Sequence, residues 1–481
     1  MKPDILIVGA GLCGVLLAEK LAEESEASIF LMEAGKSYPF EERAERRQDF
    51  IDYQYNPFPG VHDLGPYSAV GGLALHWGGH AARFTEQDFR SWPISYDELE
   101  PYLCEAEERA GVSGDEGGLS YRSKPYPMPA LPLSYGVKRV QEWVTRAGLK
   151  TRTQPYARNS VEYAGRPACT ACDTCYVCPT GAKYSPDFTL NSLVESGRVK
   201  LLKQHQVLRL EAGPDQTIHR VLYRHVDSGE RGELEAGQVV LAGGTVWTSA
   251  LLLASGLANS SGLVGKWIAA HSRINARYEL PEPLYPGQYG RIGIQCDQFT
   301  GDQELRFELR FRALTPAPQI RDESGKLLLG DGLMNRWKDQ LSRGLAGMMV
   351  YFEVPPVEES RVIATGELNG KLKFKWSPQL PGLKQRMEQK VAELSEKLEA
   401  AGGRFLDLEH DTWSHHPAGG CRMGTDPKSS VCNPWGQTHD HTNLWVAGAP
   451  LFLTGGITSS SLTFVALSLR TGTRILETLQ G

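Results

Sequence analysis

The feature that most restricts this chain is its first strand–turn–helix, Asp4-Ile5-Leu6-Ile7-Val8-Gly9-Ala10-Gly11-Leu12-Cys13-Gly14, running on through Val15 to Leu21. An apolar run enters a glycine turn, and the turn opens a helix. Gly9 permits the tight bend, Gly11 lets backbone approach a pyrophosphate, and Gly14 lets the helix lie close on the strand. The helix N-terminus then offers unpaired N–H groups and a partial positive charge to that anion. About twenty residues on, Phe30-Leu31-Met32-Glu33-Ala34-Gly35 ends a second strand, with the Glu33 carboxylate placed to accept from both ribose hydroxyls. A lone G-x-G-x-x-G is a weak signal. With the strand before it, the helix after it and Glu33 in register, it reads as a dinucleotide site. Glutamate there does not separate FAD from NAD.

At 481 residues the chain is too long for one small core and suits two intimately joined domains. Hydrophobic content of 41% with 22% charge is ordinary for a soluble globular enzyme. Fifty-one basic against 57 acidic residues give a net charge of −6 with no basic block, which argues against nucleic acid or an anionic membrane as partner. Ile5 to Leu21 is mostly apolar, yet it has glycines at dinucleotide spacing and no small-residue cleavage site, so it is not read as a signal peptide. No window is long and apolar enough to span a bilayer. A cytoplasmic location is therefore expected.

Farther on, Ala69-Val70-Gly71-Gly72-Leu73-Ala74-Leu75-His76-Trp77-Gly78-Gly79 sets two glycine pairs around an apolar core with one His and one Trp. That fits a chain running against a flat ring, or equally a plain buried turn. Residues 36–66 before it show little periodicity and read as a loop-rich excursion. In Trp92-Pro93-Ile94-Ser95-Tyr96-Asp97-Glu98-Leu99, Ser95 and Glu98 form a capping box for a helix closed by Gly111.

Together the G-x-G-x-x-G start, the Gly-Gly…His-Trp-Gly-Gly segment and Trp92 to Tyr102 resemble the glucose–methanol–choline family of flavin oxidoreductases. Within it, the flavour is that of bacterial sugar and polyol dehydrogenases and of pyranose oxidase. The resemblance implies FAD as cofactor, with Gly71, Gly72, His76, Trp77 and Gly78 against the flavin. In pyranose oxidase a His-Trp at this place carries the flavin covalently; other relatives keep the pair without a bond. The strand holding Val207 would pack its backbone on the adenine. Val239-Val240-Leu241-Ala242-Gly243-Gly244-Thr245 would return the chain to the flavin domain.

Four of the nine cysteines lie close together, Cys169, Cys172, Cys175 and Cys178, and Pro179 follows the last. Such packing suggests metal chemistry rather than a disulfide framework. The spacing is nearer a ferredoxin run than a zinc ribbon. Some dehydrogenases of the resembled family carry an iron–sulfur cluster in this region, although their spacing differs. An iron–sulfur cluster, zinc, and free or paired thiols all stay open. Cys13, Cys104, Cys296, Cys421 and Cys432 read as small buried apolar groups.

From about 270 to 375 the pattern changes to strands. Leu305 to Arg312 alternates strictly, the signature of a strand with one face buried and one solvated. Met348 to Val354 and Val362 to Ala364 continue the pattern, and Asn369-Gly370 supplies a hairpin turn before Lys371 to Trp376. A charged amphipathic helix follows from about Leu383 to Ala401.

The segment His415-His416-Pro417-Ala418-Gly419-Gly420-Cys421-Arg422-Met423-Gly424 closely resembles the family's His-Pro-x-Gly-Thr-Cys-Arg-Met-Gly. On that match His416 is the active-site histidine and His415 points elsewhere. Neutral imidazole suits the chemistry, because hydride transfer from CH–OH to flavin requires the hydroxyl proton to leave. Asn443 to Pro450 resembles the strand that brings backbone, at Gly448 and Ala449, to the flavin diphosphate. Ser459 falls where relatives place Asn or His, in a stretch one residue longer than theirs. A hydroxyl there is a poor base and throws the proton work on His416.

The expected fold is α/β: a Rossmann-type FAD-binding domain with an inserted antiparallel-sheet substrate domain. Residues 1–35, 66–100, 190–265 and 410–481 would bind FAD, 101–189 would link and carry the cysteine run, and 266–409 would bind substrate. The expected reaction oxidises a secondary alcohol on a sugar, glycoside or polyol to a ketone. Electrons would leave to a cytochrome, a quinone or oxygen, through the cluster if one is held. A small partner subunit, and with it periplasmic export, belongs to the same expectation. An oxidase using oxygen, or a lyase or isomerase keeping a structural flavin, are its rivals.

Overall fold

A computed structural model describes residues 2–43, 60–64, 68–118, 120–172, 175, 177–284, 292–301, 305–314, 343–363, 368, 372–377, 381–411 and 416–480. His415 and the Asn369-Gly370 turn lie outside the described residues.

Five parallel strands lie side by side in the order Leu444–Val446, Gln238–Leu241, Ile5–Val8, Ile29–Glu33 and Val199–Lys203. The glycine-turn strand is central, with Ile5, Leu6 and Ile7 fully buried. Such a strand must be apolar on both faces because helices cover both sides of a parallel sheet. Helix Leu12–Glu24 packs on it, and the C-terminal helix Ser461–Gln480 packs on that helix and on Tyr96–Ala110. The capping box forms as expected: Glu98 N donates to Ser95 Oγ at 3.2 Å and Ser95 N to Glu98 Oε2 at 2.7 Å. Gly111 ends the helix at φ 63°.

The inserted sheet has six strands in the order Arg404–Asp411, His271–Leu280, Gly344–Glu353, Phe307–Ala313, Ile294–Cys296 and Arg152–Thr153, all pairs antiparallel. One face packs Tyr278, Phe311 and Met348 against helix Tyr135–Arg146 and helix Pro381–Ala400. Trp143 Nε1 donates to the Leu398 carbonyl at 2.9 Å and ties those two helices together.

Two expectations change here. The alternating strand is not half solvated: along Phe307–Ala313 even Glu308 and Arg310 are only 2% and 1% exposed. Alternation reports that two faces differ in polarity, and here the polar face meets another polar wall. Second, Arg361–Ile363 and Leu372–Trp376 do not extend the inserted sheet. They form a three-stranded sheet with Gly60–Leu64, a strand inside the expected loop region, and Val362, Phe374 and Trp376 join the core around the parallel sheet. Five residues with two glycine or aspartate positions carry too little pattern to announce a strand whose partner lies some three hundred residues away. Among the described residues, no helix is long and apolar enough to cross a membrane.

Candidate active site

The glycine turn makes a cradle. Gly9 sits at φ 112°, and a Cβ on Gly14 would lie 2.0 Å from the Gly9 carbonyl oxygen, so only glycine lets the helix approach the strand this closely. Gly71 N donates to Ala10 O at 2.8 Å, and a Cβ on Gly72 would fall 2.9 Å from Gly11 Cα. The second glycine pair therefore crosses directly over the first. Gly11 differs from these: nothing closer than Gly72 Cα, at 4.0 Å, would meet its Cβ, which leaves open space beside the helix N-terminus. Gly448, at φ 79°, lies against the Cys13 side chain and begins the short turn Ala449–Leu451 at the same end of the sheet.

Glu33 Oε2 accepts from Ala10 N at 3.0 Å and Oε1 from Gly35 N at 2.7 Å. Burial pushes its carboxyl up and those two backbone donors hold it down. It lines a cleft of about 670 Å³ together with Gly9, Met32, Val207, Trp247 and Thr248. Thr248 Oγ1 is buried there without a hydrogen-bond partner. An orphaned hydroxyl in a cleft at the end of a glycine turn is what a dinucleotide would satisfy.

His76 ends the turn Gly72–Leu75 and is half-buried. Beside it Trp77 Nε1 donates to Tyr184 O at 2.9 Å, and Arg158 donates to Gly78 O at 3.4 Å. Lys183, almost fully buried, donates to the carbonyls of Leu75 at 3.2 Å and Trp77 at 2.9 Å.

His416 is positioned by strand pairing. Ala418 and Ala269 exchange both backbone hydrogen bonds, so His416 and His271, two residues along in opposite directions, come to face each other. His416 Nδ1 lies 3.0 Å from His271 Nε2, and His271 Nδ1 lies 3.4 Å from the Gly455 carbonyl. A carbonyl only accepts, so His271 Nδ1 carries the proton. Burial, with His416 and Arg310 nearby, drives the His271 pKa well below 6.5, so its Nε2 bears none. Nδ1 of His416 must then donate, so that in the neutral imidazole Nε2 is the acceptor.

His271 also stands edge-on to Tyr351, with ring centres 5.3 Å apart. The Arg310 guanidinium covers Tyr351 at 4.4 Å and donates to Ser459 Oγ at 3.1 Å and to Thr458 Oγ1 at 2.9 Å. Burial opposes the Arg310 charge, and Glu308, paired with its Nε at 2.5 Å, sustains it. Ser459 and His416 are thus joined through Arg310, Tyr351 and His271. His80, in ring contact with Tyr156 at 4.8 Å, faces the same group.

Two GMC oxidoreductase family models match the chain, over residues 68–273 and 373–468. The chain is a GMC oxidoreductase. It is 28% identical to the fructose dehydrogenase large subunit of Gluconobacter japonicus over 100% of this chain and 99% of that one. It is 25% identical to the 2-methyl-1,2-propanediol dehydrogenase of Mycolicibacterium austroafricanum, covering 98% and 94%. With the gluconate 2-dehydrogenase flavoprotein of Pantoea cypripedii the identity is 23%, covering 94% and 90%. The fold also matches pyridoxine 4-oxidase from Mesorbium loti (TM-score 0.67, 18% identity, 98% of both chains) and formate oxidase from Aspergillus oryzae (TM-score 0.70, 14% identity, 100% and 99%). A GMC oxidoreductase is an FAD-dependent enzyme acting on CH–OH donors, and the cradle described above fits that cofactor.

The expectation of a metal centre in this GMC oxidoreductase finds no support. Cys172 is exposed while Cys169, Cys175 and Cys178 are half-buried, and among the described residues no three His, Cys, Asp or Glu side chains are grouped to hold an ion. Packing of four cysteines in sequence does not by itself converge four thiols in space. His271, Tyr351, Arg310 and Glu308 went unnoticed in the sequence. The one signal for two of them was the charged half of the 305–312 alternation, read as a wet face.

Proposed function

We propose that this GMC oxidoreductase is a dehydrogenase that oxidises a secondary alcohol on a sugar, glycoside or polyol to the ketone, with His416 as proton acceptor. The observation that carries the reading is the contact of His416 with His271, whose donor–acceptor order makes Nε2 the basic nitrogen of the neutral His416 imidazole. Bound FAD would supply the redox chemistry, as the acceptor for the hydride of the carbinol carbon. His416 accepts the hydroxyl proton as that hydride leaves, and His271 keeps the imidazole in the tautomer able to do so. Ser459, already accepting from Arg310, offers its own O–H to the substrate oxygen and is no base. Gly71, Gly72, His76 and Trp77 would hold the isoalloxazine, with Lys183 fixing the carbonyls of Leu75 and Trp77.

Relatives named as fructose and gluconate dehydrogenases support a sugar-like substrate and an acceptor other than oxygen. A relative named as a large subunit supports a small partner subunit. The experiment is anaerobic mixing of the FAD-loaded enzyme with sugars and polyols. We expect flavin bleaching in the parent enzyme and, in His416→Ala, retained flavin with reduction slowed about 10²- to 10⁴-fold. Unchanged reduction in the variant would remove His416 from the mechanism. Re-oxidation by a quinone or dye without hydrogen peroxide is expected; rapid peroxide formation would make the enzyme an oxidase.

A further inference from the structure

Strand Phe307–Ala313 sends Glu308, Arg310 and Arg312 to one face and Phe307, Leu309 and Phe311 into the core beneath. On the polar face there are two guanidinium groups and one carboxylate. Of the five N–H donors of Arg310, one goes to Glu308, one to Ser459 and one to Thr458, and two keep no partner among the described residues. Arg310 is 1% exposed, so water does not serve those two freely.

A second guanidinium acts on the same histidine, His80. Arg158, 4% exposed, lies over Tyr156 at 4.9 Å, and its Nε is buried without an acceptor. Burial opposes its charge, and the groups that sustain it are Cys175, Tyr156, Cys169 and Cys178, with no carboxylate among them. The Nε of Arg312 and the amide nitrogen of Gln154 are likewise buried and unsatisfied. Neither Arg158 nor Arg312 has a carboxylate partner among the described residues. The sign of the local field agrees: burial and then the charges of Arg310 and Arg158 hold His80 in its neutral form.

Buried cations with idle donors are stable when an anion meets them. We propose that this anion is part of the substrate, so that the site takes a hydroxy acid whose carboxylate seats on the two remaining N–H groups of Arg310, in the field of Arg312 and Arg158, with its carbinol at His416. The proposal rests on the alcohol-oxidation reading above. The carboxylate is unchanged in the reaction. The carbinol gives its O–H proton to His416 and its C–H hydride to FAD, and the product is the corresponding oxo acid. A guanidinium edge matches a carboxylate in plane and spacing, and a neutral substrate would leave those donors unpaired.

The experiment compares three probes in the FAD-loaded enzyme under anaerobic conditions: gluconate, its primary amide gluconamide, and the polyol glucitol, with lactate and tartrate extending the acids to shorter chains. We expect at least one acid to reduce the flavin with kcat/KM about 100-fold above its own amide. In Arg312→Met the acid-to-amide ratio should fall to within about threefold. Arg310→Lys keeps the charge and loses the paired donors, and should lower the ratio by about tenfold. Amides or polyols reacting as fast as every acid would overturn the proposal while sustaining alcohol oxidation. If no alcohol reduces the flavin, calorimetric titration with succinate, which has no hydroxyl, decides. Binding that is lost in Arg312→Met keeps the anion site and rejects the oxidation reading; no binding rejects the anion site as well.

Discussion

At the scale of residues, the Gly455 carbonyl reaches through His271 to decide which nitrogen of His416 is basic. His271→Phe keeps the ring volume and removes the acceptor. Flavin reduction should slow about 10- to 100-fold, as when a partner that fixes an imidazole tautomer is lost, with substrate affinity little changed. His271→Gln restores an acceptor oxygen and should recover part of the rate in rapid-mixing experiments; equal rates in all three proteins would show that the contact does not direct the proton. Gly11 gives a separate residue-scale prediction. Its φ of −83° suits any residue and its Cβ would meet nothing closer than 4.0 Å, so Gly11→Ala should fold with a near-parental melting temperature as apoprotein. The added methyl occupies the cradle beside the helix N-terminus, and FAD affinity, measured by equilibrium dialysis, should drop by about tenfold or more, a loss of ~1.4 kcal/mol. Gly14→Ala, which drives a Cβ into the Gly9 carbonyl, should instead fail to fold or lose stability outright.

At the scale of elements, the legible parts were those whose signal is local. The Ser95–Glu98 box, the strand–turn–helix at Gly9 and the C-terminal helix are each written within a few residues of where they form. His416 was legible because its motif is contiguous. Its partner His271 was not, because the pairing of Ala418 with Ala269 joins segments about 150 residues apart. Strand Phe307–Ala313 shows the same limit: sequence reveals that Glu308 and Arg310 share a face but not that Thr458 and Ser459 close over it. That closure makes Glu308–Arg310 a buried pair. Glu308→Gln leaves Arg310 as an uncompensated buried charge and should cost about 3–5 kcal/mol. The double variant Glu308→Gln with Arg310→Met should be less destabilised than Glu308→Gln alone by thermal melting. A double variant that melts below the single one would contradict this account.

At the scale of the whole molecule, buried imidazole makes stability depend on pH. His271 has a folded pKa well below its ordinary 6.5, so both folded and unfolded chains hold it neutral above that value. As pH falls through 6.5 the unfolded chain binds a proton that the folded one refuses. Stability then declines by up to about 1.4 kcal/mol per pH unit from this group until the folded pKa is reached. The melting temperature should therefore fall between pH 7.5 and pH 5.5, and fall less steeply in His271→Phe; parallel curves would remove His271 as a source. The order of strands in the parallel sheet also bears on biosynthesis. Its first and second strands leave the ribosome at residues 5–33, yet the edge strand Leu444–Val446 and the helix Ser461–Gln480 against Leu12–Glu24 follow only much later in synthesis. A growing chain that stops short of residue 444 leaves the outer edge of Gln238–Leu241 unpaired and one side of Leu12–Glu24 uncovered. Coenzyme loading is accordingly expected only after residues 444–480 have been made.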